Sequence, residues 1–385
     1  MKTYNVAIVG CGSMGVENMF EDFPFTYSFA EAALRNPKTR FAVIIDADKY
    51  KLEAVNMRIR TERGISDFHT YTSLESAVKG EGTDGRMIDI VCCAAGPQVN
   101  AEVIRKVKGF CLCGVYCEKP FTLSLSDADD LVRIEQEIGV KVQINYLRNH
   151  DQHHRAVIDY IRNGGIGDLL TVRTLYKGGV LAVFPHTSAL LSLLFDKAIS
   201  VSGVYSPLLN TRCLEDPNID GVVRYCFAPQ NREINVSATA TGRGEIENNT
   251  YLYEFEFTGT KGRISILENG WGTRYEVMEP SRVFGSLGLL MPYESRRIPL
   301  ELKTDSPREF MVDGLENLIC AIENNGETAC SARRARDAEE IAHALAISAA
   351  QNGMCVELPL KDRDHAFANA QAGVNLLKKE AGIKS

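Results

Sequence analysis

The chain has 385 residues, a formal net charge of −7, and 45% hydrophobic and 24% charged residues, a globular profile that excludes disorder and a collagen-like repeat. Single cores stop growing near about 250 residues, so this length predicts two domains. The acidic balance argues against a nucleic-acid or anionic-membrane surface.

Only Lys2 precedes the first apolar run, and glycines interrupt that run at once, so no secretory leader is expected. The apolar stretches 180–184 and 190–195 are broken by Pro185 and His186 and fall short of the roughly 20 residues of a membrane span. A cytoplasmic protein is expected. The eleven cysteines, an odd number, sit mostly in apolar contexts such as Val91-Cys92-Cys93-Ala94, where a reduced thiol behaves as a small hydrophobe. That argues against a disulfide framework. Cys111, Cys113 and Cys117 lack a second Cys or His pair at zinc spacing.

Taken in chain order, buried strands are predicted over residues 4–9, 40–45, 87–94 and 112–117, with helices over 28–35, 48–63, 73–79 and 99–108 between them. Alternating strands and helices imply an α/β domain, a doubly wound parallel sheet. A helix over 124–138 follows, with Ser124 or Ser126 as N-cap and Gly139 as stop, then a strand over 140–145. The boundary falls near Tyr146, which gives domains 1–146 and 147–385. The second opens with a helix over 151–162, a strand over 169–176 and an apolar helix over 187–195. Strand-like runs over 221–227, 233–239, 251–258 and 262–267, joined by Gly, Asn and Asp turns, suggest an open, largely antiparallel sheet. With helices over 308–324 and 333–351, this second domain is α+β.

The first strand runs into Gly10-Cys11-Gly12-Ser13-Met14-Gly15, a G-x-G-x-x-G between strand and helix. Gly10 permits the tight turn, Gly12 lets backbone approach a pyrophosphate, and Gly15 allows close helix packing, with the helix N-terminus favouring phosphate. Asp46, at the end of the second strand, would accept hydrogen bonds from both ribose hydroxyls and repel a 2'-phosphate, which points to NAD over NADP. It stands further from Gly15 than the usual spacing of roughly 20 residues, so about ten residues are inserted within 17–27. Phe20, Phe23, Phe25 and Tyr27 in the insert suit a lid, an oligomer contact or a satellite core.

Gly96-Pro97-Gln98-Val99-Asn100 follows the strand over 87–94 and Glu118-Lys119-Pro120 the strand over 112–117. Together with the glycine motif this resembles the glucose-fructose oxidoreductase, inositol dehydrogenase and MocA (Gfo/Idh/MocA) family of NAD(P)-dependent oxidoreductases. The likeness extends along nearly the whole chain, since Asn145-Tyr146-x-Arg148, Gly178-Gly179 before His186, and Gly259-Thr260-Lys261-Gly262 fall in the expected order. It implies that the lysine of the tripeptide, Lys119, reaches the nicotinamide and the reacting hydroxyl. A cation at the carboxyl end of a sheet strand is also suited to stabilise a developing alkoxide. The family's Asp-x-x-x-His-x-x-Asp pattern is matched only at His186, because Ala182 and Ala189 stand in place of the acids. His186 would act as general base.

The catalytic candidates are therefore Lys119 and His186. The cofactor candidates are Gly10, Cys11, Gly12, Ser13, Met14, Gly15, Asp46, Ala95, Gly96, Pro97, Asn100, Glu118 and Lys119. Arg148, His150 and Lys177 join Lys119 and His186 as substrate candidates. Without the two acids the site is less negative, and Arg148 and Lys177 favour an anionic or nucleotide-linked sugar over a neutral polyol. His150, His153 and His154 are read as helix-start residues, and no metal is expected. The implied protein is a carbohydrate dehydrogenase, a homodimer or homotetramer joined through its open sheet. A catalytically silent NAD-binding regulator or sensor on the same fold is the alternative, and imine or enone reduction a third possibility.

Overall fold

The computed structural model describes residues 2–80, 88–122, 124–210, 216–241, 252–280, 293–299 and 308–363. Met87 and Tyr251, at which two predicted strands begin, lie outside the described residues. The chain divides into two units, Met1–Gln152 with Asp305–Arg336, and His153–Thr304 with Asp337–Ser385.

The first unit contains β1 (Tyr4–Val9), β2 (Thr39–Ile45), β3 (His69–Tyr71), β4 (Ile90–Cys93), β5 (Gly114–Cys117) and β6 (Lys141–Ile144). They form a parallel sheet in the order β3-β2-β1-β4-β5-β6. Every residue of β4 and β5 is buried, as expected when helices cover both faces. Four of those helices are α1 (Phe29–Arg35), α2 (Lys49–Glu62), α3 (Leu74–Val78) and α4 (Pro97–Phe110), followed by α5 (Leu125–Ile138). Their starts are set locally: Ser28, Asp48, Ser73 and Ser124 each accept a bond from a first-turn N–H. Gly139, at φ 73°, ends α5 as predicted.

Helix Phe310–Asn324, which the sequence pattern groups with the second domain, packs instead on β5, β6 and α1. Its approach is close because two glycines make room. A Cβ at Gly114 would lie 2.9 Å from Ile322, and one at Gly314 would lie 2.1 Å from the Tyr116 hydroxyl. Met311, Leu315 and Leu318 join Val6, Ile8, Phe29, Phe41 and Tyr116 in one buried core. Each such side chain contributes roughly 1.5–3 kcal/mol by leaving water.

In the second unit, α6 (Gln152–Arg162) precedes β7 (Leu169–Tyr176), α7 (Phe184–Leu191), β8 (Lys197–Tyr205), β9 (Ile219–Phe227), β10 (Arg232–Ala240), β11 (Tyr253–Gly259), β12 (Gly262–Leu267), β13 (Gly272–Pro280), β14 (Tyr293–Ile298) and β15 (Val356–Glu357). The nine-stranded order is β14-β13-β12-β11-β7-β10-β9-β8-β15, with only the β7–β10 pair parallel. The expected α/β plus α+β class is the observed one. β8, β13, β14 and β15 go beyond the predicted strands, because polar residues interrupt their apolar alternation. Along β7, β10 and β11 buried residues alternate with others, so one face is covered and the other carries Leu170, Leu175, Val222 and Met278 at 38–45% exposure. All eight residues of α7 are buried, the mark of a core helix.

Candidate functional site

The site is built from the carboxyl ends of β1, β2, β4 and β5. Gly10 turns at φ 97°, and a Cβ there would lie 2.8 Å from the Ala94 carbonyl. At Gly15 a Cβ would overlap the Gly10 carbonyl oxygen at 1.9 Å, so Gly15 is needed by the fold itself. Gly12 differs, because its nearest neighbour would be Lys51 Nζ at 3.8 Å. It faces open space, which leaves its backbone free to meet a ligand.

The helix expected directly after Gly15 is interrupted. A short 3-10 turn, Glu17–Phe20, follows the glycines, and the Met14 and Gly15 carbonyls accept bonds from the Phe29 and Ala30 N–H groups at 2.8 and 3.0 Å. In a continuous helix residues 18 and 19 would make those bonds. The inserted segment is therefore spliced into one helix. Its Phe23, Phe25 and Tyr27 rings pack together at 5.3–6.3 Å, Phe25 meets Phe310 at 5.0 Å, and the Thr26 N–H donates to Glu309 Oε2 at 2.8 Å. The insert carries an exposed to half-buried aromatic cluster anchored on the start of helix Phe310–Asn324. Burial and the nearby Glu118 carboxyl push the Tyr27 phenol up, against the opposing charge of Arg148.

Asp46 follows β2. Its Oδ2 accepts from Cys11 N–H at 2.8 Å and its Oδ1 from Asp48 N–H at 2.9 Å. The carboxylate is thus fixed beside the glycine turn with lone pairs left for ribose hydroxyls. Burial, with the Asp46 charge added, pushes the Cys11 thiol up to about 12, so the sulfur stays neutral. A cleft of about 610 Å³ opens here, lined by Gly10, Gly12, Asp46, Ala94, Ala95 and Val99, and by Lys51, Thr72, Ser73, Glu75, Glu102 and Lys106. That is the size of a small-molecule site. Cys11, Ser13, Met14, Gly15, Gly96 and Pro97 adjoin this lining in sequence and are not part of it. The second group of lining residues escaped the sequence reading. They come from the flanks of α2, α3 and α4, where no local motif marks them; Lys51, five residues after Asp46 at a helix start, left the best signal.

Asn100 is fully buried, and its amide donates to the Glu118 carbonyl at 2.7 Å and the Pro120 carbonyl at 3.3 Å. It holds the backbone of the tripeptide. The Glu118 carboxyl accepts from Lys119 N–H at 3.2 Å and from the Asn145 amide. Asn145 Oδ1 in turn accepts from the Tyr116 hydroxyl at 2.8 Å, and that hydroxyl lies 3.0 Å from His150 Nε2. Gln143 lies 3.5 Å from His150 Nδ1 and donates to the Gly314 carbonyl at 2.9 Å. His150, expected to face substrate, is thus 1% exposed inside a buried polar chain, with Arg148 half-buried nearby in sequence. Burial outweighs these bonds and pushes the Glu118 carboxyl up to about 7.

In the second unit, Lys177 directly follows β7 and is 8% exposed, with its N–H on the Leu252 carbonyl at 3.0 Å. His186, in the first turn of α7, is also 8% exposed, its ring 5.6 Å from that of Tyr253. Ala189 is fully buried, so an acid there would lie within a core helix. Asp216 brings a carboxylate that the sequence pattern did not reveal. It accepts from Leu181 N–H at 2.7 Å and Ala182 N–H at 2.9 Å, in space left by Gly179, whose Cβ would lie 1.9 Å from it. His153 meets the Thr273 hydroxyl at 2.5 Å and His154 packs over Gly270. Among the described residues no group of three or more His, Cys, Asp and Glu could hold a metal.

Comparison with known proteins places this geometry. Residues 4–146 match the model of an oxidoreductase family with an NAD-binding Rossmann fold, GFO_IDH_MocA. Inositol 2-dehydrogenase 1 of Mycolicibacterium vanbaalenii is 26% identical over 63% of this chain, and the chain spans 64% of that relative. An aldose-aldose oxidoreductase from Caulobacter crescentus, complexed with glycerol, superposes with a TM-score of 0.68 at 16% identity, over 93% of this chain and 100% of the other. An oxidoreductase from Agrobacterium radiobacter, in complex with NAD+, L-tartaric acid and magnesium, has a TM-score of 0.67 at 16% identity, over 92% and 98%. At these identities the structures speak for the fold. Residues 4–146 are thus similar to the NAD-binding Rossmann domain of the Gfo/Idh/MocA oxidoreductase family, and the chain spans less than two thirds of the inositol dehydrogenase that it matches.

Proposed function

We propose that the protein is an NAD-dependent dehydrogenase that moves a hydride between a secondary hydroxyl of a sugar, sugar acid or nucleotide-linked sugar and the nicotinamide. The observation that carries this is the fixed Asp46 carboxylate, bonded to Cys11 N–H at the rim of the cleft lined by Gly10 and Gly12. It suits a ribose diol and disfavours a 2'-phosphate, hence NAD over NADP. Lys51 adds a cation beside Gly12. Bound NAD supplies the hydride acceptor.

The chain's own residues supply the rest. Asn100 and the Glu118 carboxyl hold the tripeptide, so that Lys119 is presented from a rigid turn. Its ammonium is assigned the reacting oxygen, where it stabilises developing negative charge. His186 is assigned the hydroxyl proton, and Asp216 the ordering of the loop that leads into its helix. Arg148 and Lys177 are assigned the recognition of an anionic substrate group. A second copy is the proposed occupant of the open sheet face, through Leu170, Leu175, Val222 and Met278. No described helix is long and apolar enough to cross a membrane, and a cytoplasmic site of action fits that.

The test follows nicotinamide absorbance with NAD or NADP and a panel of polyols, uronic acids and nucleotide sugars, with Lys119→Met as control. Turnover with NAD that is lost in the variant supports the proposal. Tight NAD binding without turnover on any substrate would favour a regulator that uses the dinucleotide to set its conformation.

A further inference from the structure

We propose that the cleft reads the base of the dinucleotide: the carboxylates of Glu75 and Glu102, cross-linked by Lys106, accept the amino N–H of adenine, so a 6-aminopurine dinucleotide is selected over its 6-oxopurine counterpart. This rests on the function proposed above and deepens it.

Shape is the first support. With the ribose at Asp46 and the pyrophosphate at the glycine turn, the base hangs from the ribose on the side away from Gly10 and Gly12. There the cleft runs on between two helices, lined by Leu74 of α3 and by Val99 and Val103 of α4. Leu74 and Val103 are buried in its walls, and apolar walls of this kind suit the faces of a flat ring.

Polarity is the second. Glu102, Val103 and Lys106 stand three, four and seven positions after Val99 on one face of α4, and all four line the cleft. The apolar slot therefore ends in a charged edge. There the Lys106 ammonium donates to Glu102 on its own helix and to Glu75 on α3, which ties the two walls together. One ammonium with three donors is set against two carboxylates with about eight lone-pair sites, so the edge offers acceptors and a net negative charge. The Lys106 bond holds the Glu75 carboxyl below the usual carboxylate range, and the two carboxylates hold the ammonium above its own.

The competing donors are committed elsewhere. Lys51, the other lysine of the lining, stands beside Gly12 at the pyrophosphate end. The Ser73 hydroxyl caps α3, accepting from Ser76 N–H at 3.2 Å. Adenine carries two N–H donors on C6, whereas hypoxanthine carries a carbonyl oxygen there. A carboxylate accepts from the first and repels the second, so the selection uses repulsion as well as attraction.

Fluorescence titration of the full chain with NADH and with reduced nicotinamide hypoxanthine dinucleotide, which differ in the C6 substituent of the purine, tests the inference. The wild type should bind NADH about tenfold more tightly, the lower end for a charge-assisted hydrogen bond because the edge is open to water. Glu75→Gln combined with Glu102→Gln keeps the shape and adds amide donors for the oxo group, so the ratio should fall to about two or less. Glu102→Gln alone, at a side chain 57% exposed, should narrow it part of the way. Lys106→Met leaves both acceptors, and the ratio should stay at about ten or more. Equal affinities in the wild type, a ratio unchanged in the double variant, or a ratio lost in Lys106→Met overturns the inference and leaves the dehydrogenase reading standing. Absence of binding by both dinucleotides overturns both.

Discussion

Two glycines of one motif should fail in opposite ways. Replacing Gly15 by alanine puts a Cβ 1.9 Å from the Gly10 carbonyl oxygen and 3.0 Å from its carbon. Both are backbone atoms of the turn that closes on Ala94, so neither can swing aside as a flexible side chain would. Overpacking of this kind costs about 3 kcal/mol. For a unit of this size each kcal/mol moves Tm by roughly 2–4 °C, so a loss of about 6–12 °C is expected. Gly12→Ala meets nothing nearer than Lys51 Nζ at 3.8 Å, and its Tm without cofactor should stay within about 2 °C of wild type. Its methyl instead occupies the space where a pyrophosphate would approach, and NAD affinity should fall about 10–100-fold. Thermal unfolding without cofactor and NADH fluorescence titration separate the two effects. A Gly12→Ala protein with wild-type affinity, or one that melts as early as Gly15→Ala, would refute the assignment of Gly12 to the ligand and Gly15 to the fold.

Asp46→Ser removes the acceptor of Cys11 N–H and the negative charge at the rim; NAD binding should weaken about tenfold or more while NADP binding changes less, and equal losses in the two dissociation constants would argue against ribose recognition. Glu135 is half-buried, and desolvation raises it to about 7 although it accepts from the Val142 N–H at 3.1 Å. A carboxyl raised on folding contributes stability that is fully present at low pH and is lost as pH rises through its folded value. Denaturant unfolding of the wild type should therefore lose up to about 3 kcal/mol between roughly pH 4 and pH 8 from this group. Glu135→Gln should flatten that slope, and an unchanged slope would assign it elsewhere. Leu175→Asp combined with Val222→Asp places charges on the open face of the second sheet; sedimentation should show smaller assemblies, and an unaltered mass would move the interface to another face. Lys177→Ala should weaken binding of uronic acids or nucleotide sugars about tenfold while sparing NAD, and unchanged binding would remove Lys177 from the substrate site.

What could be read without coordinates was local. The glycine motif, the serine caps, the Gly139 stop and Asp46 at a strand end depend on residues a few positions apart, whose allowed dihedrals and bonding reach are properties of the nearby chain. The inserted segment was visible as a spacing anomaly. Its anchoring was not, because the Thr26–Glu309 bond joins residues 283 positions apart.

The order of apolar runs and turns determined an α/β dinucleotide-binding half and a sheet-rich second half, since period and punctuation are written in contiguous residues. Only the tertiary structure returned helix Phe310–Asn324 to the first sheet, through the space left at Gly114 and Gly314. It alone brought Asp216 to the backbone of Ala182, and Asn145 and His150 into the chain that holds Glu118. The Gln143–Gly314 bond beside that chain joins positions 171 apart. A polar side chain far along the chain becomes a partner only when packing buries both groups together, and no pattern of neighbouring residues records that burial.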